Sequence, residues 1–337
     1  MNDLLNLNIY FDENYWLEGR KLVDANFYQS SIFNKYYRYL YRKQKPLNNK
    51  FIKSGPQKLV NNTIKAFIGK SDVTFNRNTF DNYYFCTYSK QQKNLLISIL
   101  ERKKKVLVGP LYTIEDFLVL VDLAQKYKNL KIVSASHIAR KTMLKIANLD
   151  VNNDIIKILP VGINSDTQIL KNKNKSKIIK DNDCLIYLKG QKETELRGIL
   201  KTLRSKNKSY KIFEYGKYSN SKLMSIANSS KFGIVLGRTE SQGIGINELM
   251  STNLPLFVID SLENHFNNNV YEGTTVPYWD ETCGMKIESI ENFDNNFSQF
   301  LINVGKQKYQ PHQFIIDTLS YEAMYENLKK LFKDISF

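Results

Sequence analysis

The sequence predicts an α/β protein with two doubly wound parallel sheets, one in each of two domains. The chain has 337 residues, and hydrophobic cores stop growing well at roughly 250 residues, so two lobes of about 150 to 170 residues are expected. Short β-branched runs alternate with amphipathic helical segments, which is typical of βαβ units. One polar stretch interrupts this alternation and predicts the connection between the domains.

The start of the first lobe is defined less clearly than the rest. Residues 6–12 (NLNIYFD) predict a first strand, and residues 25–45 predict an aromatic-rich amphipathic helix. The tyrosines and phenylalanines of that helix are read as a core face in preference to an exposed aromatic platform. Residues 71–96 are expected to contain a further strand and helix.

The alternation becomes regular after residue 102. Thr113 is a candidate N-cap, with Asp116 three residues further on. Right-handed connections and a parallel sheet covered on both faces follow from this pattern. The segments are, in order, KKKVLVGPLY (strand), TIEDFLVLVDLAQKYKN (helix), LKIVSAS (strand), HIARKTMLKIANL (helix) and IIKILPVGI (strand).

The second lobe repeats the pattern after a polar interruption at residues 164–183. Its segments are CLIYLKG (strand), KETELRGILKTLRS (helix), YKIFEYG (strand), SNSKLMSIANSS (helix), KFGIVLG (strand), GIGINELMSTN (helix) and LPLFVID (strand). The final LSYEAMYENLKKLFKDI carries one apolar helical stripe. We expect a first domain at 1–170, a linker at 171–180, a second domain at 181–315 and a C-terminal helix at 316–337.

The net charge of +16 has two interpretations. A basic surface concentrates phosphates and is typical of nucleic-acid partners. Here the lysines are spread along the chain among many asparagines and isoleucines, as in an AT-rich bacterial or viral genome. The dense basic clusters are short, at Arg102 to Lys105 and Lys171 to Lys180. This distribution favours a small anionic ligand over a polymer.

Cysteine usage and hydropathy predict a soluble cytoplasmic protein. Cys86, Cys184 and Cys283 are scattered and form no CxxC pair, so we expect buried thiols without a disulfide framework or a zinc site. The sequence has no apolar run long enough to span a bilayer and no basic and apolar leader at its N-terminus.

The segment ESQGIGINELMSTNLP, from Glu240 to Pro255, carries the chemistry. It joins a predicted strand to a predicted helix, at the sheet edge where open α/β sheets bind ligands. Gly243 and Gly245 allow a ligand to approach the backbone, and the helix start presents N–H groups suited to an anion. Glu240 and Glu248 can border one cleft and accept hydrogen bonds from vicinal hydroxyls. Two polyols joined by a diphosphate, as in a nucleotide sugar, match this pattern, while two solvated glutamates beside capping glycines are the alternative.

The same segment resembles the signature of retaining GT-B glycosyltransferases of the group 1 type, in which seven residues separate two glutamates. Asn253 stands where that family has the glycine that ends the helix, and asparagine tolerates the left-handed conformation. Together with SNSKLMSIANSSKFGIVLGRTE, KIVSASHIARKTMLK and IIKILPVGINSD, the resemblance covers about residues 131 to 260. The positions in register are Glu240, Gly243, Glu248, Met250, Leu254 and Pro255.

The resemblance implies a GT-B fold, with two Rossmann-like domains facing a cleft, the acceptor on the first domain and the C-terminal helix returning to it. Glu240 is then expected to hold the transferred sugar, Glu248 the ribose, and the amides of Gly243 and Ile244 the sugar or diphosphate. The remaining candidates are Lys189 and Lys192 for the leaving diphosphate, Arg238, Ser241 and Gln242 in the same loop, and Tyr215 for the base. The family uses a Gly-Arg and a later Lys for the diphosphate, whereas LKGQK lacks the arginine and is shorter.

The implied activity is transfer of a sugar from a UDP- or GDP-type donor to a glycan, with retention of configuration and without a metal or a separate cofactor. A DNA-modifying glucosyltransferase is the alternative that the net charge motivates, and a nucleotide-sugar epimerase of the same shape is another. A non-catalytic basic binding module is disfavoured by the aligned glutamates. Many members of the family carry a histidine after a first-lobe strand, whereas here that strand is expected to end in Gly109-Pro110. His137 is expected at the start of a helix, and His265 and His312 are expected in loops.

Overall fold

The structure is a computed structural model that describes residues 6–11, 55–75, 80–165, 181–190 and 192–336. The chain divides into two compact units. The first unit contains Met1–Gly162 and Tyr321–Phe337, and the second contains Ile163–Ser320. The aromatic-rich segment 25–45 and the expected linker 171–180 lie outside the described residues.

The first unit is built on a parallel sheet. Within the described residues the sheet has six strands in the order β2-β1-β3-β4-β5-β6. Its strands are β1 (Leu7–Tyr10), β2 (Val73–Phe75), β3 (Asn82–Thr87), β4 (Lys105–Leu111), β5 (Leu130–Ser134) and β6 (Ile156–Ile158). Its helices are α1 (Gly55–Phe67), α2 (Lys93–Glu101), α3 (Ile114–Lys126), α4 (His137–Ile146) and the C-terminal helix Tyr321–Asp334.

Both faces of this sheet are covered, because successive strand residues point to opposite sides. Tyr84 and Leu107 belong to one buried cluster, together with α1 and the C-terminal helix. Phe85 and Val108 belong to another, together with α2, α3 and α4. Thr113 caps α3 by accepting a hydrogen bond from the Asp116 N–H at 3.1 Å, as the sequence predicts.

The C-terminal helix packs into the core of the first unit. Met324, Leu328 and Phe332 are almost fully buried in the cluster that also contains Leu7 and Ile9 of β1. The Tyr325 hydroxyl donates to Asp72 at 2.7 Å. The predicted return of this helix to the first domain is therefore confirmed.

The second unit repeats the architecture with a five-stranded parallel sheet, in the order β13-β10-β9-β7-β8 within the described residues. Its strands are β7 (Asn182–Leu188), β8 (Tyr210–Glu214), β9 (Ser230–Leu236), β10 (Leu256–Ile259) and β13 (Gly284–Ile287), and an antiparallel hairpin is formed by β11 (Glu263–Phe266) and β12 (Asn269–Glu272). Its helices are α5 (Glu193–Ser205), α6 (Asn220–Ser229), α7 (Ile244–Ser251), α8 (Phe293–Gly305) and α9 (Pro311–Leu319), so the C-terminal helix is α10.

Two buried clusters again cover the two faces of this sheet. One face carries α6, α7 and α9, and the other carries α5 and α8. The α8 side packs by edge-to-face ring contacts, for example Phe257 against Phe297 at 5.6 Å between centroids. The predicted class, α/β with two doubly wound Rossmann-like units, is confirmed. Cys86, Cys184 and Cys283 are fully buried, as expected.

Three sequence predictions are wrong in position. The strand at Gly109-Pro110 does not end there, because β4 continues to Leu111, which pairs with Thr87 after a shift in register. His265 lies in β11, because Asn267 and Asn268 adopt positive φ angles of 47° and 60° and form the tight turn of a hairpin. His312 lies in α9, which Pro311 begins because its fixed φ suits the first helical position.

Asn253 ends α7 in the left-handed conformation, with φ of 58°. This conformation costs an ordinary residue roughly 1–2 kcal/mol and costs glycine almost nothing. We expect Asn253→Ala to lower the free energy of unfolding by about 1 kcal/mol more than Asn253→Gly does. Both variants lose the side-chain contact to the His312 N–H at 3.3 Å, so their difference reports the backbone alone. Urea denaturation measures it, and equal losses in the two variants would contradict the assignment.

Candidate functional site

The site in the second unit begins where its strand order reverses. The chain passes from β7 to β8 on one side and then to β9 on the other side of β7. The loops that follow β7 and β9 therefore leave adjacent strand ends in different directions, which opens the crevice where sheets of this kind bind ligands. Lys189 follows β7, and its N–H donates to the Leu236 carbonyl at the end of β9 at 2.9 Å.

Lys189 and Glu240 form an ion pair at this point. Their side chains are 14% and 16% exposed, so the pair is largely shielded from water. The Lys189 Nζ also lies 4.4 Å from the centre of the Tyr215 ring, in the geometry of a cation–π contact. Tyr215 follows β8, is 39% exposed, and donates its N–H to the Leu188 carbonyl at 2.8 Å. Three sequence candidates thus meet at the carboxyl edge of the sheet.

The start of α7 stands beside this pair. Gly243 is the N-cap and has φ of 73°, a left-handed conformation that glycine adopts without strain. Its carbonyl accepts from the N–H groups of Ile246 and Asn247, each at 2.9 Å. The Asn247 side chain donates to the Gln242 carbonyl at 3.1 Å and holds the loop against the helix. The N–H groups of Ile244 and Gly245, the first two residues of the helix, have no carbonyl one turn earlier to bond, so they suit an anion.

A pair of tyrosines lies against the first turn of α7. The Tyr218 hydroxyl donates to the Tyr187 hydroxyl at 3.1 Å. A Cβ at Gly245 would stand 2.9 Å from that Tyr187 hydroxyl, so a side chain there would displace the tyrosine. The lack of a side chain at position 245 therefore lets helix and tyrosine approach closely.

The two glutamates act on the same tyrosine. Burial is the main cause that raises the pKa of Tyr218 to about 12. The negative charges of Glu248 and Glu240 raise this pKa further. Both carboxylates are therefore within electrostatic reach of one phenol.

Asp260 holds the loop that carries Glu240, a role that the sequence analysis missed. Its carboxylate is fully buried at the end of β10 and pairs with Lys286 at 3.0 Å. It accepts from the Thr274 hydroxyl at 2.9 Å and from the Thr275 N–H at 2.6 Å. The Thr274 carbonyl accepts the Glu240 N–H at 2.9 Å. The available signal was the acidic residue that ends the segment LPLFVID, directly after the strand and at the same sheet edge.

The other candidates take separate positions. Lys192 is the N-cap of α5 and pairs with Glu195 at 3.2 Å, so it has a carboxylate partner of its own. Arg238 and Ser241 are exposed in the loop after β9, and Gln242 is buried. Ile244 is the first residue of α7. His137 begins α4 in the first unit, as expected.

Two kinds of feature are absent from the described part of the chain. Residues 6–11, 55–75, 80–165, 181–190 and 192–336 contain no group of three or more histidine, cysteine, aspartate or glutamate side chains that could hold a metal ion. No helix in the same ranges is both long and apolar enough to cross a membrane.

Comparisons with known proteins find likeness in fold. No protein-family model matches the chain, and no curated protein matches it in sequence. A GtfA/B complex is similar with a TM-score of 0.48 and 11% identity, over 75% of this chain and 57% of the other. The chain thus spans little more than half the length of that structure. It likewise covers 56% of the pneumococcal O-GlcNAc transferase GtfA.

Two further solved structures are covered almost completely. An α-glucosyltransferase in complex with UDP-glucose and DNA has a TM-score of 0.48 and 10% identity, over 97% of this chain and 99% of the other. A UDP-GlcNAc 2-epimerase from Neisseria meningitidis has a TM-score of 0.43 and 10% identity over the same shares. At these identities the likeness concerns the fold, and one fold serves many functions. The function therefore has to be argued from the site.

Proposed function

We propose that the chain is a glycosyltransferase whose second unit binds a nucleotide-sugar donor. The observation that carries the proposal is the ion pair of Lys189 and Glu240 at the point where the strand order reverses, with Glu248 about one turn into α7, the helix that follows the same loop. A cation and free helix amides suit a diphosphate, and carboxylates on either side suit hydroxyl groups. A nucleotide sugar offers these groups in the matching order.

In this proposal the diphosphate rests against the first turn of α7 and Lys189. Glu248 accepts from the ribose hydroxyls, and Glu240 accepts from hydroxyls of the transferred sugar. Tyr215 is exposed at the end of β8 and offers a ring face for the base. Asp260 keeps Glu240 in place through Thr274.

The proposed reaction breaks the bond between the anomeric carbon and the diphosphate oxygen and forms a bond from that carbon to an acceptor hydroxyl oxygen. The acceptor proton passes to the leaving diphosphate, and the configuration is retained. Negative charge grows on the diphosphate as its bond breaks, so Lys189 and the helix amides stabilise the transition state more than the ground state. The proposal requires no metal and no separate cofactor.

A glycan is the proposed acceptor class, and contacts within the basic cluster Arg102 to Lys105 favour it over nucleic acid. Lys104 pairs with Asp81 at 2.7 Å, and Lys105 donates to the Phe332 carbonyl at 2.9 Å. Two of its four cations are thus engaged inside the first unit. A surface selected for phosphate chains would leave its cations available for phosphates, because each contact to a phosphate adds to affinity.

A thermal-shift panel of UDP, GDP, ADP and their sugar conjugates tests the donor site. A ligand at 100 times its dissociation constant stabilises the folded state by about 2.7 kcal/mol. We expect at least one nucleotide to raise the melting temperature, and Glu248→Ala to abolish that rise while the variant stays folded. Glu281→Ala, which changes an exposed glutamate of the same unit, is the control and should keep the rise. A Glu248→Ala variant that binds as tightly as the parent would show the ribose assignment to be wrong.

A further inference from the structure

A second polar site lies in the first unit, at the carboxyl ends of β3 and β4. Tyr88 directly follows β3, and its N–H donates to the Leu111 carbonyl at the end of β4 at 2.9 Å. Asp116 lies in the first turn of α3, three residues after the N-cap Thr113. Both side chains thus belong to the sheet edge at which parallel α/β units bind ligands.

Both side chains are buried and each keeps one unused polar atom. Tyr88 is 0% exposed and Asp116 is 5% exposed. In the part of the chain that the structure describes, neither the Tyr88 Oη nor the Asp116 Oδ1 has a hydrogen-bond partner. The other carboxylate oxygen, Oδ2, accepts from the Thr113 hydroxyl at 3.0 Å, so the helix cap fixes the carboxylate.

Such atoms call for an explanation, because a buried polar group without a partner is costly and few remain in native structures. The two side chains also interact electrostatically. Burial first, and then the charge of Asp116, raise the pKa of Tyr88 to about 12. The phenol therefore keeps its proton at neutral pH and can donate it in a hydrogen bond. Tyr84 Oη also lacks a partner, but it stands in the middle of β3 within an apolar cluster and not at the strand ends.

The chemistry of the pair selects the ligand. The Asp116 carboxylate repels anions, and the positive end of the α3 dipole disfavours a cation beside a single carboxylate. A hydroxyl group satisfies both atoms, because it donates to the Asp116 Oδ1 and accepts from the Tyr88 Oη–H. An ammonium group can donate to the Asp116 Oδ1 but cannot accept from Tyr88, and a phosphate carries the negative charge that Asp116 repels.

We propose that Tyr88 and Asp116 form a binding subsite for a hydroxyl group of a neutral polyol, and that this polyol is the sugar acceptor. The second statement rests on the proposed function, whereas the first stands on the geometry of the first unit. The subsite assigns acceptor recognition to residues that the aligned glutamate motif does not contain.

Binding of simple glycosides to the full chain tests the subsite. The probes are the methyl α-pyranosides of glucose, galactose and mannose, observed by saturation-transfer difference NMR. We expect at least one to bind in the millimolar range, and Asp116→Asn and Tyr88→Phe each to weaken it at least fivefold. Asp122→Asn alters an exposed carboxylate on the same helix and should leave binding unchanged. The Tyr88→Phe melting temperature should equal or exceed that of the parent, because the change removes a hydroxyl that has no partner.

The outcomes separate this inference from the donor site. The inference is wrong if none of the three glycosides binds the parent, or if both variants bind as the parent does. It is also wrong if Tyr88→Phe melts at a lower temperature without losing glycoside binding, since an ordered water then satisfies the two atoms. The nucleotide thermal shift, measured on the same samples, should persist in both variants. Its absence from the parent would refute the proposed donor site and not the polyol subsite.

Discussion

Replacing Lys189 with alanine is expected to lower the rate of nucleoside diphosphate release from the donor by about 100-fold to 1000-fold. Loss of one preorganised electrostatic contact to a developing charge costs roughly this factor in other enzymes. The loss also leaves Glu240 in a shielded position without its cation, facing the incoming diphosphate. The assay uses the nucleotide sugar that gives the largest thermal shift and follows release of its nucleoside diphosphate.

Lys192→Ala is the matched control for this prediction. Lys192 stands three residues further on and pairs with Glu195 at 3.2 Å, a partly exposed contact between residues three apart on the helix start. Such pairs contribute little to stability, so the loop should keep its structure when Lys192 is replaced. We expect Lys192→Ala to change the rate less than about threefold, far below the effect of a lost transition-state contact. Equal losses in the two variants, or a larger loss for Lys192→Ala, would refute the assignment of the diphosphate to Lys189.

Replacing Asp260 with alanine is expected to lower the free energy of unfolding of the second unit by about 2–5 kcal/mol, because the Thr274 hydroxyl and the Thr275 N–H lose their charged acceptor. The change removes a fully buried carboxylate that bonds Thr274 and Thr275, and it leaves Lys286 without its partner. Because Thr274 accepts the Glu240 N–H, the loop after β9 also loses its support. Chemical denaturation measures the stability, and the nucleotide thermal shift measures the loop.

Lys286→Ala distinguishes the effect of the Asp260–Lys286 ion pair from the effect of the hydrogen bonds that Asp260 accepts. The Lys286 side chain is 37% exposed, and Asp260 keeps its hydrogen bonds to Thr274 and Thr275 in this variant. This variant leaves the buried Asp260 carboxylate without its cation, so we expect it to lower the free energy of unfolding as well. Its nucleotide shift should stay close to that of the parent, because the hydrogen bonds to Thr274 and Thr275 still hold the loop. The positioning role of Asp260 is disproved if Asp260→Ala keeps the full nucleotide shift.

Much of the fold could be predicted from the sequence because local patterns carry it. Runs such as FGIVLG and LPLFVI are apolar throughout, as strands buried on both faces require. Thr113 and Asn253 are read correctly because capping depends on neighbours within a few residues. These signals need no knowledge of distant contacts.

Other elements lack a strong local signal. The strand β13 has four residues and follows a loop, so its place at the sheet edge depends on pairing with β10. The hairpin of β11 and β12 is polar and exposed, and only its two asparagines mark the turn. Helices α1, α8 and α9 carry apolar periodicity that the sequence analysis did not use.

The candidate site also contains residues that a local motif predicts and residues that it does not. Glu240, Gly243 and Glu248 lie within nine residues of one another, so a motif can find them. Asp260 acts on Glu240 through Thr274, and the charge of Glu248 raises the pKa of Tyr218, which belongs to another loop. These contacts follow from the order of the strands, which no single stretch of sequence reveals.

The positive charge of Lys189 is matched by Glu240 of its own chain. A chloride ion that approaches this neutral pair gains little, because it meets attraction and repulsion of similar size. A ligand with two or more negative charges has enough field to draw the ammonium away from the carboxylate. We therefore expect the internal counter-ion to make the proposed donor site discriminate among anions by valence, where a bare lysine would accept any of them.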